Sequence, residues 1–438
     1  MLSVGFRVGK IRIGVLQIIA VIFYCIVYAL GVNNILSDNY FVGYIAAANY
    51  NKNFSPIYFS FGILICIFLF AITEWASIEN NIISYTLKFC YWLYCIPVCL
   101  FPMLFEHKIE NKFLLCAIFY WLFLCIAARF IKIEFKKETV NLSIYVKKFL
   151  MLASIIAIII IIAKSLPDFT LSFSLNEVYD TRADYKTNAS DWMTFVKTAF
   201  GAYVCPGLLA YFIAKKKKLP VFIFLILQIT VYSFAKDKTY LFDLFMAIAL
   251  GIMGKKIIHN SKRYFNIGIF AFSGINILAV LGQYSNFIFN IVTRRIMVVP
   301  SWLNYLYFEF FSQNEKLLWR QDVFIIDKLF VAPYDCSAPL LISEKYLNGL
   351  VSNPNAGLLA EAYAQFGLVG IIIYPLLIVV LLNVVNQFYK NAMPEVILMI
   401  SFSLAFSLSN DTIMSTSFIA TMIIVCLYSS LFRDDVDS

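Results

Sequence analysis

Three short stretches carry cations of a kind and spacing that can hold an anionic substrate. Arg294 and Arg295 open RRIMVVPSWLNYLYFEFF, Lys236 and Lys238 flank Asp237 in SFAKDKTYLFDL, and Arg182 follows Tyr179 and Asp180 in VYDTRADY. A guanidinium offers a planar fork that matches phosphate oxygens two at a time, and an ammonium adds a point charge. Cations converging from three segments on one membrane face are what a lipid-linked pyrophosphate needs. Taken singly, each is equally a surface ion pair of little worth. Carboxylates that could take a proton nearby are Asp180, Asp184, Glu309 and Glu361.

Other chemistries drop out by residue count. The two histidines, His107 and His259, fall in loops expected on opposite faces of a membrane, so no His-pair metal site or Ser-His-Asp triad is expected. His107 beside Glu106 reads as a solvated loop residue. No glycine-rich phosphate loop occurs at a strand–helix junction, and no strands are expected, which excludes ATP and dinucleotide chemistry. The cysteines, among them Cys66, Cys90, Cys95, Cys99, Cys116, Cys125 and Cys205, sit in apolar runs without CxxC spacing, and Cys336 is alone in its loop. They read as small buried hydrophobes. Neither a metal nor another cofactor is expected.

The elements that must position these residues are membrane helices. Of 438 residues 61% are hydrophobic and 14% charged, and the mean hydropathy is +0.80. Soluble domains run nearer about 25% charged, so a water-soluble enzyme is excluded. Apolar runs of the roughly 17–25 residues that a bilayer requires place helices near 13–32, 56–75, 88–105, 113–130, 148–165, 194–214, 219–234, 240–254, 264–282, 363–386, 395–409 and 412–432. The fold class is thus an all-α polytopic membrane protein of about 12 transmembrane helices, read as one integral membrane domain over 1–438. Arg7, Lys10 and Arg12 precede a full-length apolar run with no small-residue cleavage site, which reads as a retained first span.

The net charge of +9 does not indicate nucleic acid, because the basic residues cluster in short blocks between apolar runs, as in cytoplasmic loops. With both termini inside, the inner segments hold 20 of the 35 Lys and Arg residues, including Lys88, Lys215 to Lys218 and Lys255 to Arg263. Two long loops, 166–193 and 283–362, then lie outside and read as ordered and functional, being too aromatic and apolar for disorder. The 219–254 stretch must cross twice with halves shorter than usual. Lys236, Asp237 and Lys238 then lie near the outer surface, either facing a cavity or forming a tight turn with snorkelling lysines. The segment after Arg295 has apolar spacing that suggests a helix lying in the interface. Trp302, Tyr305, Tyr307, Phe308, Phe310 and Phe311 form either an interfacial belt or apolar faces for sugar rings and a polyprenyl chain. In SNPNAG, Asn353 and Asn355 with Pro354 fix a turn, Gly357 permits a close approach, and Asn355 is placed to cap the following helix.

Taken in order, VYDTRADY, SFAKDKTYLFDL, RRIMVVPSWLNYLYFEFF and SNPNAGLLAEAYAQFGLVG resemble the bacterial O-antigen polymerase (Wzy) family of oligosaccharide repeat-unit polymerases. The resemblance covers most of the chain and rests on motif order more than on any one motif. It implies a GT-C-like membrane glycosyltransferase in the bacterial inner membrane that uses neither nucleotide sugar nor metal. Its donor is the growing glycan on undecaprenyl pyrophosphate, and its acceptor is one new repeat unit on the same carrier, joined on the periplasmic side. Its partners are a flippase, a chain-length regulator and a ligase. Within that chemistry Arg182 and Arg295 would stabilise the leaving pyrophosphate, with Arg294, Lys236 and Lys238 assisting. Tyr179, Asp180, Tyr305, Asn353 and Asn355 would line the substrate. Glu309 and Glu361, nearest to membrane-embedded runs, are the preferred bases, and the choice between them stays open.

Two alternatives differ in recognisable ways. The O-antigen ligase family carries a histidine in its large outer loop, and 283–362 has none. An exporter or flippase of lipid-linked oligosaccharide is expected to show an internal repeat and charges within its spans, and no repeat is visible.

Overall fold

The computed structural model describes residues 5–8, 11–37, 55–104, 111–133, 144–165, 195, 197–235, 238–281, 289–321, 323, 326, 328–347 and 356–432. A short hairpin precedes the first helix. Strand β1 (Gly5–Val8) pairs antiparallel with β2 (Ile11–Gly14), Phe6 opposite Ile13 and Arg7 opposite Arg12. This overturns the expectation of no strands. Phe6, Val8, Ile11 and Ile13 alternate with polar positions, and a period of two favours strand over helix.

Helices follow in chain order: α1 (Val15–Ser37), α2 (Pro56–Ala76), α3 (Ile82–Leu104), α4 (Asn111–Phe130) and α5 (Ile144–Ser165). Next come α6 (Lys197–Ala214), α7 (Lys218–Ala235), α8 (Lys238–His259) and α9 (Ser261–Leu281). After a π-helical segment, Phe289–Val298, come α10 (Val299–Gln313), α11 (Ala338–Tyr346) and α12 (Leu359–Phe366). The last are α13 (Gly370–Tyr389), α14 (Pro394–Asn410) and α15 (Thr416–Tyr428).

Among the described residues, seven of these, α1, α2, α3, α4, α6, α9 and α13, are long and apolar enough to cross a membrane, and shorter apolar helices coincide with α7, α14 and α15. Their outward faces carry Leu16, Phe61, Leu64, Phe222 and Leu278 exposed, a surface that lipid accepts and water does not. The protein is a helical, multi-pass membrane protein.

Three boundaries differ from the hydropathy pattern. Helix α3 starts at Ile82, so Lys88 lies inside it and not before it. Helix α8 has 22 residues and runs to His259, so only α7, with 18, is short. The run expected as one helix over 363–386 is two, because the chain breaks after Phe366 at Gly367, whose φ is +58°. Only glycine adopts that conformation freely. Single π-helical turns, Tyr91–Cys95 in α3 and Phe200–Val204 in α6, precede Pro97 and Pro206. A proline withholds one i→i−4 bond, and a wider turn carries the helix past it.

The chain forms two compact units. In the first (1–132, 261–381, 405–416), Gln17, Glu74, Lys88 and Asn266 line one cavity. The start of α1, the end of α2 and the starts of α3 and α9 therefore share one end. At the opposite end Gly31 of α1 lies against Thr293, and Gly62 of α2 against Leu100. These helices alternate in direction, as a chain crossing back and forth must. In the second unit (133–260, 382–404, 417–438), the Gln228 amide of α7 donates to the carbonyls of Gly201 (2.9 Å) and Tyr240 (3.0 Å). Tyr428 ties α15 to the Leu150 carbonyl of α5 (3.1 Å).

Candidate functional site

The most connected polar cluster among the described residues surrounds α12 in the first unit. The residue before this helix, Leu358, holds φ +51°, and the first amides of α12 are received by side chains from distant segments. Leu359 N–H donates to the Tyr94 hydroxyl (2.9 Å), and Ala360 N–H to Asn304 Oδ1 (3.0 Å). Tyr94 in turn donates to Asn304 Oδ1 (2.5 Å), while Asn304 Nδ2 donates to the Pro300 carbonyl (2.8 Å). These two amides are thus received by α3 and α10, while Asn355, the expected cap, lies outside the described residues. Gly357 does make the expected close approach, against the chain itself: a Cβ there would stand 2.0 Å from the Leu408 carbonyl oxygen.

Glu361, in the first turn of α12, is only 3% exposed. Its Oε1 accepts the Tyr374 hydroxyl (3.1 Å), and its Oε2 accepts the backbone N–H of Ile413 (3.0 Å). Trp319 Nε1 donates to the Tyr374 oxygen (2.8 Å). A buried carboxylate needs such donors, and here they tie α12 to α13 and to the turn before α15. The far end of α12 is closed likewise. Leu317 and Leu318 N–H donate to the Ala364 (3.0 Å) and Gln365 (3.1 Å) carbonyls, and Trp319 N–H to Gln365 Oε1 (2.7 Å). Lys316 lies over the Tyr363 ring at 5.4 Å and donates to the Phe311 and Asn314 carbonyls. Burial lowers its pKa from the ordinary lysine value.

Helix α10 corrects the expectation of an interfacial helix. Trp302, Tyr305, Tyr307, Phe308, Phe310 and Phe311 are all buried, so these aromatics are core and not a surface belt. A helix apolar on nearly all sides has to be enclosed. Tyr305 meets Phe113 edge-on at 5.5 Å, and Phe308 meets Tyr363 at 4.5 Å. Glu309 is the half-buried exception. Burial, and after it the charge of Glu309, raise the pKa of the Tyr346 hydroxyl above its usual value. Arg294 and Arg295 lie on the π-helical segment leading into α10, the first half-buried and the second exposed. Beside them Thr293 donates to Asn276 of α9 (2.5 Å).

Of the remaining predicted residues, Tyr179, Asp180, Arg182, Asp184, Lys236, Asn353 and Asn355 lie outside the described residues, as does His107. Lys238 opens α8 in the second unit. At the same end of that unit Lys197 stands 6.0 Å over the Tyr240 ring, a cation that motif reading passes over. Nine of the ten cysteines are buried, as expected, and Cys336 is half-buried.

A second polar site lies at the other end of the first unit. Lys88 and Glu74 are both buried and stand 3.5 Å apart, with Lys88 also 5.8 Å from the Phe265 ring. The sequence reading takes Lys88 for a cytoplasmic-edge charge, whereas it lies within α3 and pairs with Glu74 of α2. Charges at such depth persist when paired.

Comparison with protein-family models, curated proteins and solved structures finds no match for this chain.

Proposed function

We propose that this protein polymerises lipid-linked oligosaccharide repeat units, as a twelve-span, GT-C-like glycosyltransferase with its active site on the periplasmic face of the bacterial inner membrane. The observation that carries the reading is the folded insert between α9 and α13. It is no simple connector, since α10, α11 and α12 pack an aromatic core, and Arg294 and Arg295 stand at its entry. The order of the four motifs supports the same conclusion.

In the proposed reaction the anomeric C–O bond to undecaprenyl pyrophosphate breaks. A hydroxyl of the incoming repeat unit takes its place at the anomeric carbon. The leaving pyrophosphate gains negative charge as the bond opens. Arg295, assisted by Arg294, stabilises that charge best in the transition state, which lowers the barrier instead of only tightening binding. Arg182 and Lys236 join them on the sequence reading alone. The hydroxyl proton passes to a carboxylate. Glu309 is half-buried and within reach of an acceptor, whereas Glu361 is only 3% exposed and fastened to Tyr374 and Ile413. Glu361 is therefore proposed as the residue that positions α12, and Glu309 as the base.

The test is the polysaccharide ladder of cells lacking the native protein and supplied with variants, with membrane levels checked by immunoblot. Arg182→Ala and Arg295→Ala should each collapse the ladder to a single repeat, a rate loss on the order of 10²–10³ per lost contact. Arg295→Lys should restore it incompletely, because a point charge replaces a fork. Long polymer from both alanine variants would place the pyrophosphate elsewhere.

A further inference from the structure

The segment joining α10 to α11 is a closed knot with an apolar tip. Its base is tied by the Tyr334 hydroxyl donating to the Glu315 carbonyl (2.7 Å) and by the Gln321 amide donating to the carbonyls of Tyr334 and Cys336 (3.1 Å to the latter). The Tyr334 ring packs on Phe310 and Phe311 of α10. Beyond this base the chain displays Leu329, Phe330 and Val331 at 70%, 60% and 87% exposure. Their display is built into the fold, since Leu329 and Phe330 N–H both donate to the Ile326 carbonyl (3.1 and 3.0 Å).

Three consecutive large apolar side chains facing water are costly, and a soluble loop tip favours small polar residues instead. Their surroundings indicate what covers them. The knot begins at residues fastened to the start of a spanning helix, through Leu318 N–H to the Gln365 carbonyl and Trp319 Nε1 to Tyr374 of α13. Just before α13, Leu368 and Val369 are themselves 67% and 58% exposed. The apolar outer surface of α13 thus continues up to the level at which the knot is attached. Lys328, exposed and adjacent to the tip, suits the phosphate layer above an inserted apolar group.

We infer that the Leu329–Phe330–Val331 tip inserts into the bilayer leaflet at which α13 begins, anchoring the α10–α12 insert to the lipid surface. The inference rests on the multi-pass architecture and is independent of the polymerase reading, so its test requires no substrate.

The full-length protein would carry Phe330→Cys with Cys336→Ser, labelled with an environment-sensitive nitrobenzoxadiazole probe. It would be reconstituted in phosphatidylethanolamine–phosphatidylglycerol vesicles, and the signal of the Cys336→Ser protein subtracted. A probe at exposed Ser312 serves as the aqueous reference. The expected result is blue-shifted emission at position 330, loss of quenching by aqueous iodide and new quenching by lipids brominated along their tails. Iodide quenching equal to that at position 312 would overturn the inference by leaving the tip in water. Protection from both quenchers would overturn it in favour of a protein contact, from a partner or a second copy.

Discussion

Tyr94 and Asn304, 210 positions apart in sequence, share one hydrogen at 2.5 Å, and each receives one of the first backbone amides of α12. The segment carrying Glu361 is thereby positioned by groups inside the bundle. Asn304→Ala leaves Ala360 N–H unsatisfied, and Tyr94→Phe does the same to Leu359 N–H. A buried donor without a partner costs about 1–3 kcal/mol. Both variants should unfold at lower temperature than wild type in detergent, followed by circular dichroism. An unchanged midpoint for Asn304→Ala would show that α12 does not depend on this cap.

The Glu74–Lys88 pair makes a different kind of prediction. Removing one partner of a buried ion pair strands the other and costs roughly 3–5 kcal/mol, while removing both is far less damaging. Lys88→Met alone should be strongly destabilising, and Glu74→Gln combined with Lys88→Met should recover much of the loss. A double variant as unstable as the sum of the single ones would mean that the two charges are not coupled.

Two glycines discriminate between close packing and free space. At Gly357 an added Cβ meets backbone oxygen at 2.0 Å, whereas at Gly268 in α9 nothing stands within 4 Å. Gly357→Ala should lower the yield of folded protein in the membrane fraction. Gly268→Ala should be neutral or gain up to about 1 kcal/mol from helix propensity. Equal yields of folded protein for the two variants would contradict the packing of the 356–358 turn against the end of α14.

The helices were legible from hydropathy because crossing a bilayer imposes length and apolarity together. A helix stands at each expected position, and the errors are local. Gly367 and Gly370 signalled the break in 363–386, but the apolar run on either side outweighed them. Alternation over Phe6–Ile13 encodes the hairpin, but the basic residues within it resemble the charged flank of a first span. Spacing in α10 suggested two faces, and only the packing shows both enclosed. The candidate site was legible as residue types and not as partners. Glu361 could be singled out as a carboxylate near an apolar run. Its tie to Ile413 spans 52 residues, and the Trp319–Tyr374 bond behind it spans 55, and no local pattern encodes such pairings. A lone Asn304 in an apolar stretch is the sequence sign of its bond to Ala360 N–H. A charge at the edge of a hydropathy window, such as Lys88, resembles a loop residue, and only its partner in α2 reveals its place.

The central claim is repeat-unit polymerisation, and the most direct measurement is incubation of the purified protein in liposomes with chemically defined undecaprenyl-pyrophosphate-linked repeat units. Products would be resolved by length and the released carrier measured. The account predicts a ladder of glycan lengths with one undecaprenyl pyrophosphate freed per bond formed, absent with Arg295→Ala. Units that keep their length and carrier, with wild-type protein folded and inserted, would contradict it.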